Sequence, residues 1–235
     1  MAEKRQITIG GVPGAGKSTC GRKLAEFLGY KFYSVGDFRR DMAREKFNTD
    51  ISTLNLLEDA KLFLKDYNIG EMADSELLPK VQALGLEGKD LWNLRKIVNI
   101  DTDVIADNMQ KDLGIKGDHF IIEGRLAWKF CPGSFSVFFT CDPKVAAERI
   151  LKDPRSSERQ YSSVEDAEQA NVKRMESDNN RYVQKYGKGY DCYNPKHFKF
   201  VIDTTNLTSE ETLRRVIEAI DMYYGDYSNI ELLYY

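Results

Sequence analysis

Residues 11–19 read "GVPGAGKST" and follow the apolar run "QITIG" at 6–10. The spacing Gly11-x4-Gly16-Lys17-Ser18 is that of a loop that holds phosphate. Its glycines let successive backbone N–H groups curl around an anion with no Cβ in the way. A helix expected from Lys17 onward aims its positive end at the same point. In such a loop the lysine bridges the β- and γ-phosphates of a nucleoside triphosphate, and the serine hydroxyl ligates Mg²⁺. Gly11, Val12, Pro13, Gly14, Ala15, Gly16, Lys17, Ser18 and Thr19 are therefore the expected ATP-binding stretch, with Ser18 as the metal ligand. A GTPase is disfavoured, because neither an NKxD base-reading motif nor a DxxG switch occurs.

Working outward, short runs rich in β-branched and aromatic residues recur at "KFYSVGD", "HFIIEGR", "SFSVFFTCD" and "FKFVIDTT". Apolar strands alternating with helical patterns indicate a parallel sheet covered on both faces. Helices are expected at 17–28 and roughly at 101–113, 143–151, 163–186 and 209–224. Asp142-Pro143 reads as a cap followed by a first-turn proline, in preference to a metal-holding carboxylate at Asp142. Ser163 with Asp166, and Thr208 with Glu211, have capping-box spacing. The interval 44–98 breaks the alternation. It reads as short amphipathic helices interrupted near Gly70, Pro79 and Gly88, inserted between the second and third strands. The tail 226–235 is aromatic and carries no recognisable chemistry.

The chain has 235 residues, suiting one α/β domain with an insertion. Its formal charge of −3 supplies no global field for nucleic acid. Cys20, Cys131, Cys141 and Cys192 form no CxxC pair and there are two histidines, so zinc is not expected. His119 and His197 precede apolar runs and read as partly buried. With no signal-like or membrane-length apolar run, a cytoplasmic monomer is expected, partnered by small-molecule nucleotides and by neither nucleic acid nor membrane.

Three further motifs stand where a phosphoryl acceptor would bind. "SVGDFRRDMA" follows the second strand, "EGRLAW" the third, and "RMESDNNRY" lies in the long helix. With the phosphate loop, they resemble the nucleoside monophosphate kinases, most closely the archaeal-type cytidylate kinases. The likeness covers residues 5–43 and 101–220 and includes Asp103-x3-Asp107. It implies a doubly wound α/β sheet of order 2-3-1-4-5. The kinase core would be 1–43 and 99–225, with a short lid at about 152–163 and a helical acceptor-binding insert at 44–98. The implied reaction transfers phosphate from ATP, with Mg²⁺, to CMP or dCMP. Adenylate kinase or another small-molecule kinase is the nearest alternative, and a nucleotide-gated binding protein without turnover is the other.

The resemblance also implies residue roles. Arg40, Arg125, Arg174 and Arg181 would meet the acceptor phosphate, Asp178 its sugar, and Ser34, Gly36 and Asp103 the same ligand. Lys17, Arg125, Arg174 and the lid arginines Arg155 and Arg159 would stabilise the transferring phosphoryl, and Arg149 would touch the donor's base or phosphate. Glu123 either accepts from a magnesium-bound water or pairs with Arg125 or Lys17. The helix triplet 174/178/181 also has the spacing of a surface salt-bridge ladder. Arg39, turned about 100° from Arg40, reads as a solvated charge. Leu126 stands where bacterial cytidylate kinases carry aspartate, so base recognition is expected from Asp103, Asp107 or the insert.

Overall fold

A computed structural model describes residues 4–152 and 161–225, which divide into two compact units. The first holds residues up to 35 and from 107 onward, the second 36–106.

The first unit is built on strands β1 (Gln6–Gly11), β2 (Lys31–Ser34), β3 (Phe120–Glu123), β4 (Phe135–Thr140) and β5 (Phe200–Asp203). All pairings are parallel and the order is β2-β3-β1-β4-β5, the order implied by the resemblance. Register sets Ile7 beside Ile121 on one flank and Phe135 on the other. Every residue of β1 is buried, the polar Gln6 and Thr8 included: Gln6 Nε2 donates to Gly114 O and Gly117 O, and Thr8 Oγ1 hydrogen-bonds Ser134 Oγ. Helix α1 (Lys17–Leu28) buries Cys20, Leu24 and Ala25 against Ile7, Ile9 and Val137. Further along the chain come α8 (Pro143–Lys152), α9 (Val164–Tyr186) and α10 (Ser209–Tyr224), which match the expected spans to within a residue.

The starts of these helices are the sequence signals made visible. Asp142 Oδ1 accepts from the N–H groups of Lys144 (2.9 Å) and Val145 (3.1 Å), so it is a cap. Thr208 and Glu211 form a reciprocal capping box. Ser163 Oγ accepts from Asp166 N–H at 3.1 Å, and the Asp166 carboxylate accepts from Ser162 N–H at 3.1 Å.

The second unit is helical. It holds most of α2 (Val35–Phe47), all of α3 (Ile51–Phe63), α4 (Asp74–Gln82) and α5 (Leu91–Val98), and the first turn of α6 (Thr102–Lys116). Its own core gathers Phe47, Leu54, Leu57, Leu64, Leu77, Val81, Leu94 and Ile97. The break expected at Pro79 is absent: α4 runs through it to Gln82. Leu77 and Val81, on either side of the proline, are both fully buried, and that burial outweighs one lost backbone bond. Between β3 and β4 lies the short α7 (Ala127–Phe130). His119 also departs from expectation. Its side chain is 59% exposed, because it occupies a positive-φ turn (φ 53°) just ahead of β3. The expected lid arginines Arg155 and Arg159 and the tail 226–235 lie outside the described residues. Among the described residues no helix is long and apolar enough to cross a membrane.

Candidate active site

The phosphate loop leaves β1 at Gly11 and enters α1 at Lys17. Gly11 has φ 133°, and a Cβ there would stand 2.1 Å from Phe139 O. Gly14 has φ 77°, and a Cβ there would stand 2.5 Å from Ala146 O. Only glycine permits this path so close to β4 and α8. Gly16, at the N-cap of α1, has the left-handed conformation and no side chain to cap the first turn. The α1 amides thus keep their positive end for an anion, with no acidic residue in the first turn to offset it. Lys17 Nζ donates to Val12 O at 2.5 Å, which folds the ammonium back over the loop.

Because β1 and β3 are neighbours, the end of one strand delivers the partner of the other. Ser18 Oγ donates to Glu123 Oε2 at 2.7 Å, and Gly124 N–H donates to Ile9 O at 3.0 Å. Glu123 thus meets the serine of the loop. A hydroxyl and a carboxylate side by side at a phosphate loop form an all-oxygen donor set of the kind Mg²⁺ takes, with waters completing the shell. These two residues fit the ion.

Two residues beyond Glu123, Arg125 enters a buried cluster. Its Nη2 meets Asp178 Oδ2 at 2.7 Å, and its Nε donates to Tyr193 Oη at 3.2 Å. Tyr193 Oη in turn donates to Asp178 Oδ2 at 3.0 Å, and Arg181 Nη2 meets Asp178 Oδ1 at 3.1 Å. Asp178 and Arg181 are 5% and 6% exposed, so these two are no solvated ladder, whereas Arg174 on the same helix is only half-buried. Burial pushes the Asp178 carboxyl up, but Arg125, Arg181 and Arg174 together with the Tyr193 hydroxyl hold it below the ordinary aspartate value. Burial opposes the Arg125 charge, yet Asp178 raises its pKa further, so it stays protonated. Asp107 and Tyr186 are hydrogen-bonded nearby on α6 and α9, and Gln110 Nε2 donates to Asp107 Oδ1 at 3.2 Å. Arg149, on α8, donates to the carbonyls of Thr204 (2.7 Å) and Thr205 (3.2 Å). Thr204 Oγ1 reaches Ala15 O of the phosphate loop at 3.2 Å.

In the helical unit Arg40 pairs with Asp37, one turn earlier on α2. Arg39 is not a solvated charge. It is 3% exposed and its Nη1 stands 3.2 Å from Asp103 Oδ1, itself 3% exposed. The 100° step from Arg40 turns it inward, toward the start of α6 in the same unit. Tyr193 was missed altogether. It comes from the irregular stretch between α9 and β5, where "YDCYNP" matches no motif spacing, and only the folded chain brings its hydroxyl to Arg125.

A parallel sheet of this order, with a glycine loop at the end of its central strand and an arginine cluster beyond its neighbour, defines a phosphate-loop protein of the kinase class. Residues 6–206 match the cytidylate kinase-like family, and the chain belongs to it. A cytidylate kinase of Methanopyrus kandleri is 27% identical, over 92% of each chain. One from Mycoplasmopsis pulmonis is 28% identical over 94% of this chain and 99% of its own. A nucleotide dehydratase of Lacinutrix mariniflava, dependent on S-adenosylmethionine, is also 28% identical, but this chain spans only 36% of its length. Among solved structures, a shikimate kinase from Bacteroides thetaiotaomicron shares the fold at TM-score 0.50, with 13% identity over 92% of this chain and 98% of that one.

Proposed function

We propose that the protein transfers the γ-phosphoryl group of ATP to the phosphate of CMP or dCMP. Membership of the cytidylate kinase-like family supports nucleotide kinase activity, and the named cytidylate kinases among its relatives support the cytidine acceptor. The observation that carries the reading is the adjacency of β1 and β3. It sets the phosphate loop with Lys17 and Ser18 beside Glu123, and two residues on it presents an arginine already fixed by Asp178 and Tyr193.

The loop amides and Lys17 grip the donor phosphates, and Gly11 to Thr19 line that grip. Ser18 Oγ and Glu123 would hold Mg²⁺, which would supply charge neutralisation for the donor phosphates. Arg125 and Arg174 meet the acceptor and transferring phosphoryl oxygens, where a planar guanidinium gives a two-pronged contact. Arg40 holds the acceptor phosphate from α2, with Ser34 and Gly36 beside it in sequence. No strong base is needed, since positioning and charge stabilisation dominate this chemistry. Asp178, engaged by Arg125, Arg181 and Tyr193, acts by fixing Arg125 as well as by receiving a sugar hydroxyl.

A coupled assay of ADP release across CMP, dCMP, UMP, AMP and GMP tests this. Cytidine acceptors should give the highest kcat/KM. A clear preference for AMP would make the protein an adenylate kinase, and ATP binding without turnover on any acceptor would make it a binding protein.

A further inference from the structure

The helical unit hides a charged cluster that its core does not need. Arg39, Asp103 and Glu58 are 3%, 3% and 5% exposed. Arg39 uses Nη1 toward Asp103 Oδ1 at 3.2 Å, while its Nε and Nη2 are buried without a hydrogen-bond partner among the described residues. Glu58 Oε1 accepts from Thr102 N–H at 3.2 Å and from its hydroxyl at 2.5 Å. Burial, with Asp103 close by, raises the Glu58 carboxyl against the opposing pull of Thr102, Lys61 and Arg39. Donors buried unpaired cost stability, and an apolar pair of equal volume would pack at lower cost. A unit able to build the all-apolar cluster of Leu54, Leu57, Leu77 and Leu94 nonetheless keeps a guanidinium with two open prongs beside a carboxylate.

We infer that Arg39 and Asp103 read the base of the acceptor, and that the base they read is cytosine. The inference rests on the kinase reading above and names the group that sets its substrate. Arg39 Nε and Nη2 are two neighbouring donors. They match the O2 and N3 acceptors along the edge of cytosine, whose exocyclic amino group then donates to the Asp103 carboxylate. Uracil offers an N–H at N3 and a carbonyl at C4, so it opposes donor to donor and acceptor to acceptor. Adenine presents N1 and an amino group but has only C–H where cytosine has O2. Arg40, the phosphate-binding arginine of the same reading, is the next residue on α2. One helix turn therefore addresses both ends of a nucleotide. The β3 motif itself offers no polar reader after Arg125, because Leu126 is apolar and 2% exposed. Both Arg39 donors are already out of water, so the base must displace the side chains covering them. The hydrogen bonds so gained are then weighed against no further loss of hydration by the protein. Sites of this kind reject a ligand lacking the matched group strongly, because the buried donors are left unpaired.

Steady-state kinetics with CMP, 3-deaza-CMP, N4,N4-dimethyl-CMP and UMP decide it. Absence of turnover by the wild-type protein on every monophosphate would remove the kinase reading and this inference with it. Given turnover, the wild type should use 3-deaza-CMP and dimethyl-CMP about tenfold to a hundredfold less well than CMP. Arg39→Met should bring CMP and 3-deaza-CMP to within about threefold of each other with the KM for ATP unchanged. Asp103→Asn should raise UMP relative to CMP. Equal use of CMP and 3-deaza-CMP by the wild type would overturn the inference, and that arm needs no variant to fold. So would an Arg39→Met protein that loses activity on both by the same factor, since a merely structural ion pair cannot tell the two bases apart.

Discussion

Lys17, the half-buried first residue of α1, holds little of the core, so Lys17→Met should leave the melting temperature nearly unchanged while turnover falls by roughly two to four decades. Near-normal turnover in the folded variant would contradict the phosphate-loop assignment. Asp178 behaves in the opposite manner, because its buried carboxylate pairs with both Arg125 and Arg181. Its folded pKa lies below the ordinary value. Its contribution is therefore complete above about pH 4, the value in the unfolded chain, and is lost as pH falls through the folded value. Asp178→Asn leaves Arg125 and Arg181 without their buried counter-charge, a loss of about 3 kcal/mol at neutral pH. Melting curves against pH should show the wild type and variant converging below pH 4; a gap independent of pH would mean the carboxylate charge is not what stabilises the cluster. Residues differ sharply in how far sequence exposes them. The loop was readable because its chemistry lies in one consecutive stretch, Gly11 to Thr19. Arg39 was not, because helical phase says that two side chains point apart and cannot say which of them meets the interior.

Elements carried the clearest sequence signal where their ends have their own chemistry. Asp142 before Pro143, and Thr208 three residues before Glu211, mark helix starts by local hydrogen bonds that need no tertiary partner. Buried strands were equally plain, since β1 and β4 are buried on both faces and rich in β-branched and aromatic residues. Pro79 misled because the cost of a proline is local while the gain from burying Leu77 and Val81 is tertiary. The run between α9 and β5 holds two short 3-10 turns, one capped by Asn194, but no apolar period, so nothing in it announced Tyr193. Its hydroxyl joins that run to Arg125 at the end of β3 and to Asp178 on α9. Tyr193→Phe keeps the ring and removes only the tie. It should raise the KM for CMP several-fold and leave the KM for ATP as it was, because Arg125 loses its alignment while the phosphate loop does not. Equal change in both constants, measured by varying each substrate in turn, would show Tyr193 to be ordinary packing.

At the scale of the whole molecule, the chain divides into two compact units. The donor loop and Arg125 belong to the sheet-based unit, whereas Arg40, Arg39 and Asp103 belong to the helical unit of 36–106. The alternation of strands and helices announced the first unit. The second has its own core, and its identity as a separate unit showed in the sequence only as an interruption of that alternation. The proposed reaction requires that the phosphoryl group leaving ATP arrive on the phosphate of a cytidine nucleotide. The direct measurement incubates the protein with ATP labelled at the γ-phosphate, Mg²⁺ and CMP, and then separates the nucleotides. Label should appear in the β-phosphate of CDP, formed in step with ADP, and fall by about one to two decades in Arg125→Ala with binding of an ATP analogue retained. Label found only in inorganic phosphate, or ADP formed at the same rate without CMP, would contradict it.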